Sequence, residues 1–265
     1  ESLHALYLKI SQASQDPGLR KKGVEHVVDL AARDDSIGLQ AIRLLVPLEA
    51  KSRRRLAFID DRVASHPDSD RELKLSWITE LLRLGELTAS EAFDRAEGRF
   101  DLDIADEQAA FGRWLNQRRL PHLTETVISL DDAIARRDLF LVLMDAKAMQ
   151  GKWPEVTRVL ERDDVPLEPY LRQLFLARGY LETGLERRAR LGWQKVLLEI
   201  ANEPQKLAFF ADYARRLQLY DQARKAYARM AKIPSSMRYS FGQRLQMERR
   251  RSEEHTSELQ SHAPI

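Results

Sequence analysis

One pattern of residues occurs twice in the segment 170–235, and its two copies are 34 positions apart. Each copy places small residues where two helices would have to touch, and a large aromatic residue follows four positions after the last of them. The matched positions are Leu176, Ala177, Tyr180, Gly184, Ala189 and Trp193, then Phe210, Ala211, Ala214, Gln218, Ala223 and Tyr227. A period of this length is typical of proteins built from stacked helix pairs.

This duplicated pattern resembles the tetratricopeptide repeat (TPR), a helix–turn–helix unit of about 34 residues. The match is clear over 170–235, partial over 137–161 and weaker towards the N-terminus. The family places an aromatic residue near the start of the first helix, and this chain has Gln173 and Leu207 at that position. The proline that usually follows the second helix comes one residue early, as Pro234, and is replaced by Ala201 in the preceding unit. These departures keep open a related helical repeat of similar length.

Helical periodicity and turn residues extend the pattern along the chain. Apolar stripes predict one helix over about 36–50, which Pro47 should end or kink, and another over 53–65. The capping-box spacing of Ser69 with Glu72, and of Thr88 with Glu91, predicts two helix starts. Expected turn positions recur at intervals of 35, 31, 33 and 34 residues, at Gly85, Leu120, Gly151, Gly184 and Gln218.

These patterns predict an all-α chain that forms a right-handed α-solenoid of about seven stacked antiparallel helix pairs. We expect divergent N-terminal repeats over 1–68, degenerate TPR-like pairs over 69–130, TPR-like repeats over 131–235 and a capping helix over 236–250. Residues 251–262 resemble a translated sequencing adapter, so we expect residues 251–265 to be artefactual. The chain is then expected to be an internal fragment of a longer gene product.

The composition narrows the functional classes. Hydrophobic residues make up 43% of the chain, which is too many for a disordered protein. The formal net charge of +2 creates no strong field for nucleic acid or a membrane surface. The absence of cysteine excludes disulfides, thiolate metal sites and a cysteine nucleophile. No apolar run approaches the roughly 18 residues that would predict a membrane span.

No local motif points to catalysis. Gly18 and Gly23 have the spacing of a phosphate-binding loop, but Val24 and Glu25 replace the Lys and Ser or Thr that such a loop requires. Paired aspartates fall mostly at predicted helix ends, where capping explains them. Histidines outside the tail are too scattered for metal-ligand spacing. The sequence therefore predicts no enzyme, no cofactor and no metal site.

Two basic runs raise an alternative, a helical repeat that binds nucleic acid. One run consists of Lys51 and residues 53–55, and the other consists of residues 20–22. Aromatic residues are not interleaved with them, and the net charge is near neutral, so solvated helix starts are the favoured interpretation and nucleic acid is unlikely as a partner. A further alternative is a sensor or assembly module of a larger protein whose other domains lie outside this segment.

The family resemblance also implies a binding site. In tetratricopeptide repeats, the first helix of each pair lines a concave groove that receives a peptide. Matching positions in this chain, called the predicted groove below, are Leu141, Asp145, Met149, Leu174, Arg178, Leu181, Ala208, Asp212, Arg215 and Arg216. Its three arginines could hold an acidic peptide through bidentate contacts. The predicted function is thus a protein–protein interaction scaffold that binds a protein or peptide ligand.

Overall fold

The structure is a computed structural model that describes residues 16–49 and 53–233. All regular secondary structure in these ranges is helical, and they contain no strand. The expected all-α class is therefore confirmed for the described residues. Residues 1–15 of the divergent repeats expected over 1–68, the capping helix expected over 236–250 and the tail over 251–265 lie outside them.

The chain divides into two compact units, each with its own hydrophobic core. The first contains α1 (Pro17–Ala31), α2 (Ser36–Glu49), α3 (Arg53–Ser65), α4 (Arg71–Leu84), α5 (Ala89–Glu97), α6 (Ala105–Gln117) and α7 (Pro121–Val127). The second contains α10 (Trp153–Leu160), α11 (Pro169–Glu182), α12 (Glu186–Glu199), α13 (Pro204–Arg216) and α14 (Tyr220–Met230). Between them in sequence, α8 (Leu130–Ala135) and α9 (Arg137–Met149) supply residues to both units.

Side-chain caps explain where helices begin. The Thr88 hydroxyl accepts from the Glu91 amide at 3.2 Å, and the Glu91 carboxylate accepts from the Thr88 amide at 2.8 Å, so the predicted capping box of α5 is confirmed. The cap predicted at Ser69 was wrong by one residue. Asp70 caps α4 by accepting from the Leu73 amide at 2.8 Å, because the Ser69 hydroxyl instead donates to the carbonyl of Val63.

Proline and serine residues mark further helix boundaries. Pro47, which was expected to end or kink its helix, lies inside α2 (Ser36–Glu49). Pro121 is the first residue of α7, where its missing N–H costs no hydrogen bond. At the start of α8 the hydroxyl of Ser129 accepts from the amide of Asp132.

Helix ends recur with a regular spacing. Positive φ angles occur among the described residues at Gly85, Arg119, Gly151, Gly184 and Gln218, which are separated by 34, 32, 33 and 34 positions. At each one, the amide of the following residue donates to the carbonyl five residues earlier, over 2.7–3.0 Å. This is the Schellman arrangement, which satisfies carbonyls that a helix C-terminus leaves open.

One of these turns corrects the sequence prediction. Leu120 was expected at the turn, but Arg119 holds the left-handed conformation, with φ of 60°. Leu120 is buried and precedes the first residue of α7. Its side chain contributes to the core of the first unit, while Arg119 is exposed, so the apolar residue takes the interior position and the charged residue makes the turn.

Small residues allow the helices of the second unit to approach closely. Ala177, Ala189, Ala211 and Ala223 are fully buried there, as the duplicated pattern predicts. A methyl group added to Gly192 of α12 would lie 2.8 Å from the Cβ of Ala177 in α11. The backbone of α12 therefore approaches α11 at a distance that a larger side chain would prevent.

Arginine side chains tie successive helices together through backbone carbonyls. Arg172 of α11 donates at 2.8 Å to the carbonyls of Leu160 and Glu161, which lie at the end of α10. In the first unit, Arg62 of α3 donates at 2.8 Å to the carbonyl of Ala31 at the end of α1. Each guanidinium thus satisfies acceptors that its neighbouring helix leaves open.

Candidate functional site

The predicted groove positions in the first unit lie on one exposed helix face. Leu141 and Asp145 are four residues apart on α9, and both are exposed. The carboxylate of Asp145 accepts a 3.4 Å hydrogen bond from the side-chain amide of Asn116, which is buried. The same amide donates to the carbonyl of Val142 at 3.0 Å. The partly desolvated carboxylate has a raised pKa, which the Asn116 hydrogen bond lowers only in part.

The predicted groove positions in the second unit differ in exposure. Met149 is exposed and Leu181 is half-buried. Leu174 is only 1% exposed and belongs to the core, so its assignment to a ligand-binding surface was wrong. Its side chain packs within the core of the second unit, where it stabilises the fold rather than a complex.

Two of the three arginines of the predicted groove already have acidic partners. Arg178 pairs with Glu182 at 2.5 Å, and Arg215 pairs with Asp212 at 3.1 Å. The Arg178 guanidinium also lies over the ring of Trp153, 5.3 Å from its centroid. An acidic peptide would have to compete with these carboxylates. The structure therefore gives less support than the sequence did to an acidic ligand held by the arginines of the predicted groove. Arg216 is exposed and forms no ion pair with a described residue.

An aromatic strip lies on the first helices of the two clear repeats, and the sequence analysis missed it. The ring centroids of Phe175 and Tyr213 are 5.9 Å apart, and those of Phe209 and Tyr213 are 6.3 Å apart. Phe209 is 45% exposed. Phe175 and Phe209 are 34 residues apart, so their equivalence within the repeat was a signal that could have identified the strip.

The environment of this strip shifts the ionisation of its tyrosine. Burial disfavours the phenolate and raises the pKa of Tyr213 to about 12, although the positive charge of Arg178 acts in the opposite direction. Tyr213 therefore stays neutral and can donate a hydrogen bond throughout the physiological range. The strip therefore offers a ligand apolar surface and no charged side chain of its own.

A cleft in the first unit has a different character. It separates α4 from α6 and has a volume of about 580 Å³, within the range of small-ligand and peptide sites. Residues from both helices and the loop after α5 line this α4–α6 cleft, including Arg71, Glu72, Phe100, Arg113, Trp114 and Arg118. Helices α4 and α6 are the first helices of the two pairs predicted over 69–130.

Some side chains of the α4–α6 cleft are satisfied within the protein. Arg71 pairs with Glu107, and its guanidinium lies 4.9 Å from the ring centroid of Phe100. Glu80 pairs with Arg83 at 2.7 Å. These contacts hold one wall of the cleft in place and remove one positive and one negative charge from the set available to a ligand.

Two arginines of the cleft have no such partner. Arg113 and Arg118 form no side-chain hydrogen bond or ion pair with any described residue. The Nε of Arg118 is also screened from solvent, as is the Nε1 of Trp114, a residue that is 7% exposed. Neither of these nitrogen atoms has an acceptor within the part of the chain that the structure describes. Arg113 and Arg118 were not predicted from the sequence, because no local pattern marks them as a site.

Residues 16–49 and 53–233 contain no cluster of three or more His, Asp or Glu side chains placed to hold a metal ion. None of the described helices is both long and apolar enough to cross a membrane. Lys51, the first residue of the denser basic run, lies outside the described residues.

Comparisons with protein-family models, curated proteins and solved structures found no match to this chain. The resemblance to tetratricopeptide repeats therefore stays a prediction from the period, the small residues and the turns of the chain itself.

Proposed function

We propose that this chain is a TPR-like interaction scaffold that binds a peptide segment of a partner protein. Ligand binding is assigned to the first helices of successive helix pairs, which in a right-handed α-solenoid would form one concave surface. The observation that carries the proposal is the spacing of the five Schellman turns, 34, 32, 33 and 34 residues. Because each turn ends the first helix of a pair, this spacing supports a repeated unit of constant length.

Repeat architecture connects this spacing to binding. Each helix pair buries one face against its neighbours, and the first helices are left side by side on a common surface. Such a surface is extended and suits a peptide better than a small metabolite. The exposed side chains of Met149 and Phe209 in the second unit, and the α4–α6 cleft in the first, are consistent with this use.

A display experiment tests the proposal directly. Random 12-residue peptides would be selected on the full chain, synthesised, and mapped by the change that they cause in amide hydrogen exchange. We expect slower exchange in the first helices α4, α6, α9, α11 or α13. A matched comparison is exchange in the second helices α5, α7, α10, α12 and α14, which should change little.

Three results would overturn the proposal. The first is protection confined to the second helices, and the second is that no selected peptide binds in solution. The third is binding of single-stranded nucleic acid that weakens steeply with salt while no peptide binds, since phosphate contacts carry that salt dependence.

A further inference from the structure

The strongest unassigned feature is the difference in charge pairing between the two surfaces. In the second unit, Arg178 and Arg215 are matched by carboxylates on their own helices. In the α4–α6 cleft, Arg113 and Arg118 are not matched by any described residue. An arginine that already has a carboxylate partner gains little from a second one, whereas an unpaired guanidinium gains a charge-assisted hydrogen bond.

Two hydrogen-bond donors without acceptors among the described residues also belong to residues of the α4–α6 cleft. The indole Nε1 of Trp114 and the Nε of Arg118 are both shielded from water, and both belong to residues that line the cleft. A shielded donor without an acceptor is unfavourable, because it has given up its hydrogen bond to water without gaining another. A ligand that brings oxygen acceptors into the cleft, with a small adjustment of these side chains, would recover part of this cost.

The opposite wall restricts which anion can enter. Glu72 lines the cleft with the arginines and has no ion-pair partner among the described residues, so a polyanion such as a nucleic-acid backbone would meet its carboxylate. An extended peptide avoids this conflict, because its backbone N–H groups can donate to Glu72 while its acidic side chains reach the arginines. Phe100 adds an aromatic surface for an apolar side chain.

We propose that the α4–α6 cleft binds an extended acidic segment of a partner protein, with a Glu or Asp side chain held between Arg113 and Arg118. This inference rests on the proposed scaffold function and names its ligand class. It moves the acidic-ligand site from the second unit, where the sequence placed it, to the first. The aromatic strip of the second unit is then left for apolar contacts.

Binding to a peptide array tests the assignment. The array carries 12-residue peptides with two fixed central Glu residues, and a matched array has Gln at those two positions. Full-length protein is compared with the variant Arg113→Gln/Arg118→Gln. The control is Arg158→Gln/Arg190→Gln, which removes two other exposed arginines that are unpaired among the described residues and lie outside the cleft. Circular dichroism confirms that all three proteins are equally folded.

We expect the wild type and the control to bind members of the Glu array at least about tenfold more tightly than their Gln counterparts. The cleft variant should lose this preference. Equal binding to the Glu and Gln arrays, or loss of the preference in the control variant as well, overturns the acidic-ligand assignment while peptide binding itself stands. An absence of binding to either array overturns the assignment too, and the display experiment above then decides separately whether the scaffold function survives. Stronger binding of a single-stranded oligonucleotide, removed by the cleft substitutions, would show that the site takes phosphate instead.

Discussion

Adding one methyl group to Gly192 tests the helix contact on which the duplicated pattern depends. The new Cβ would lie 2.8 Å from the Cβ of Ala177 and 3.0 Å from Nε2 of Gln173. Overpacking of this kind costs about 1–3 kcal/mol, whereas replacing glycine by alanine inside a helix returns about 1 kcal/mol. We therefore expect Gly192→Ala to lower the free energy of local unfolding by about 1 kcal/mol.

The reciprocal substitution completes a double-mutant cycle. Ala177→Gly loses about 1 kcal/mol of helix propensity and about 0.8 kcal/mol for the buried methyl, roughly 2 kcal/mol together. The double variant moves the methyl from α11 to α12. The propensity changes then cancel, and the closest backbone atom to the new Cβ is the Ala177 Cα at 3.4 Å. Its stability should lie within about 0.5 kcal/mol of wild type, whereas independent effects would sum to about 3 kcal/mol.

Native-state hydrogen exchange of the α11 and α12 amides measures the change in the free energy of local unfolding. A local measurement is needed because repeat proteins need not unfold in one step. Urea unfolding followed by circular dichroism gives the global change. Gly98→Ala is the control, since an added Cβ there meets no atom within 4 Å. It should leave stability unchanged or raise it by up to about 1 kcal/mol. If the double variant loses as much as the two single variants together, Gly192 and Ala177 are not in contact and the packing described here is wrong.

Thr88→Ala should lower the free energy of unfolding by about 1 kcal/mol in urea, and Thr88→Ser should restore it; equal losses in both would exclude the capping box with Glu91. Asn116→Ala should cost about 2 kcal/mol or more by the same measurement, because the buried hydroxyl of Thr124 loses its 2.8 Å acceptor; a loss below 0.5 kcal/mol would contradict this network. Since the pKa of Tyr213 is about 12 in the folded chain and about 10 when unfolded, its contribution to stability is complete below pH ~10 and decreases as the pH rises to ~12. Tyr213→Phe should make that decrease shallower, and tyrosinate absorbance should show one late-titrating group fewer; identical curves would refute the assignment.

The candidate site was only partly predictable. Helical spacing places Arg178 and Glu182 four residues apart, and Asp212 and Arg215 three apart, so the pairing of these charges was available from local sequence. The α4–α6 cleft was not available in this way. It brings Arg71 together with Arg113 and Arg118 from another helix, and no local spacing connects them.

The sequence by itself determined that the described chain is helical, where the Thr88 cap lies, and that small residues recur where helices touch. These properties depend on neighbours three to five positions away, and helix geometry brings such neighbours together in any context. Tertiary structure alone decided that Leu174 is buried, that Arg119 rather than Leu120 takes the left-handed turn, and that Arg113 and Arg118 have no described partner. Each of these depends on the rotation of one helix against another, and shifts of a few ångströms decide whether a side chain is buried, paired or free.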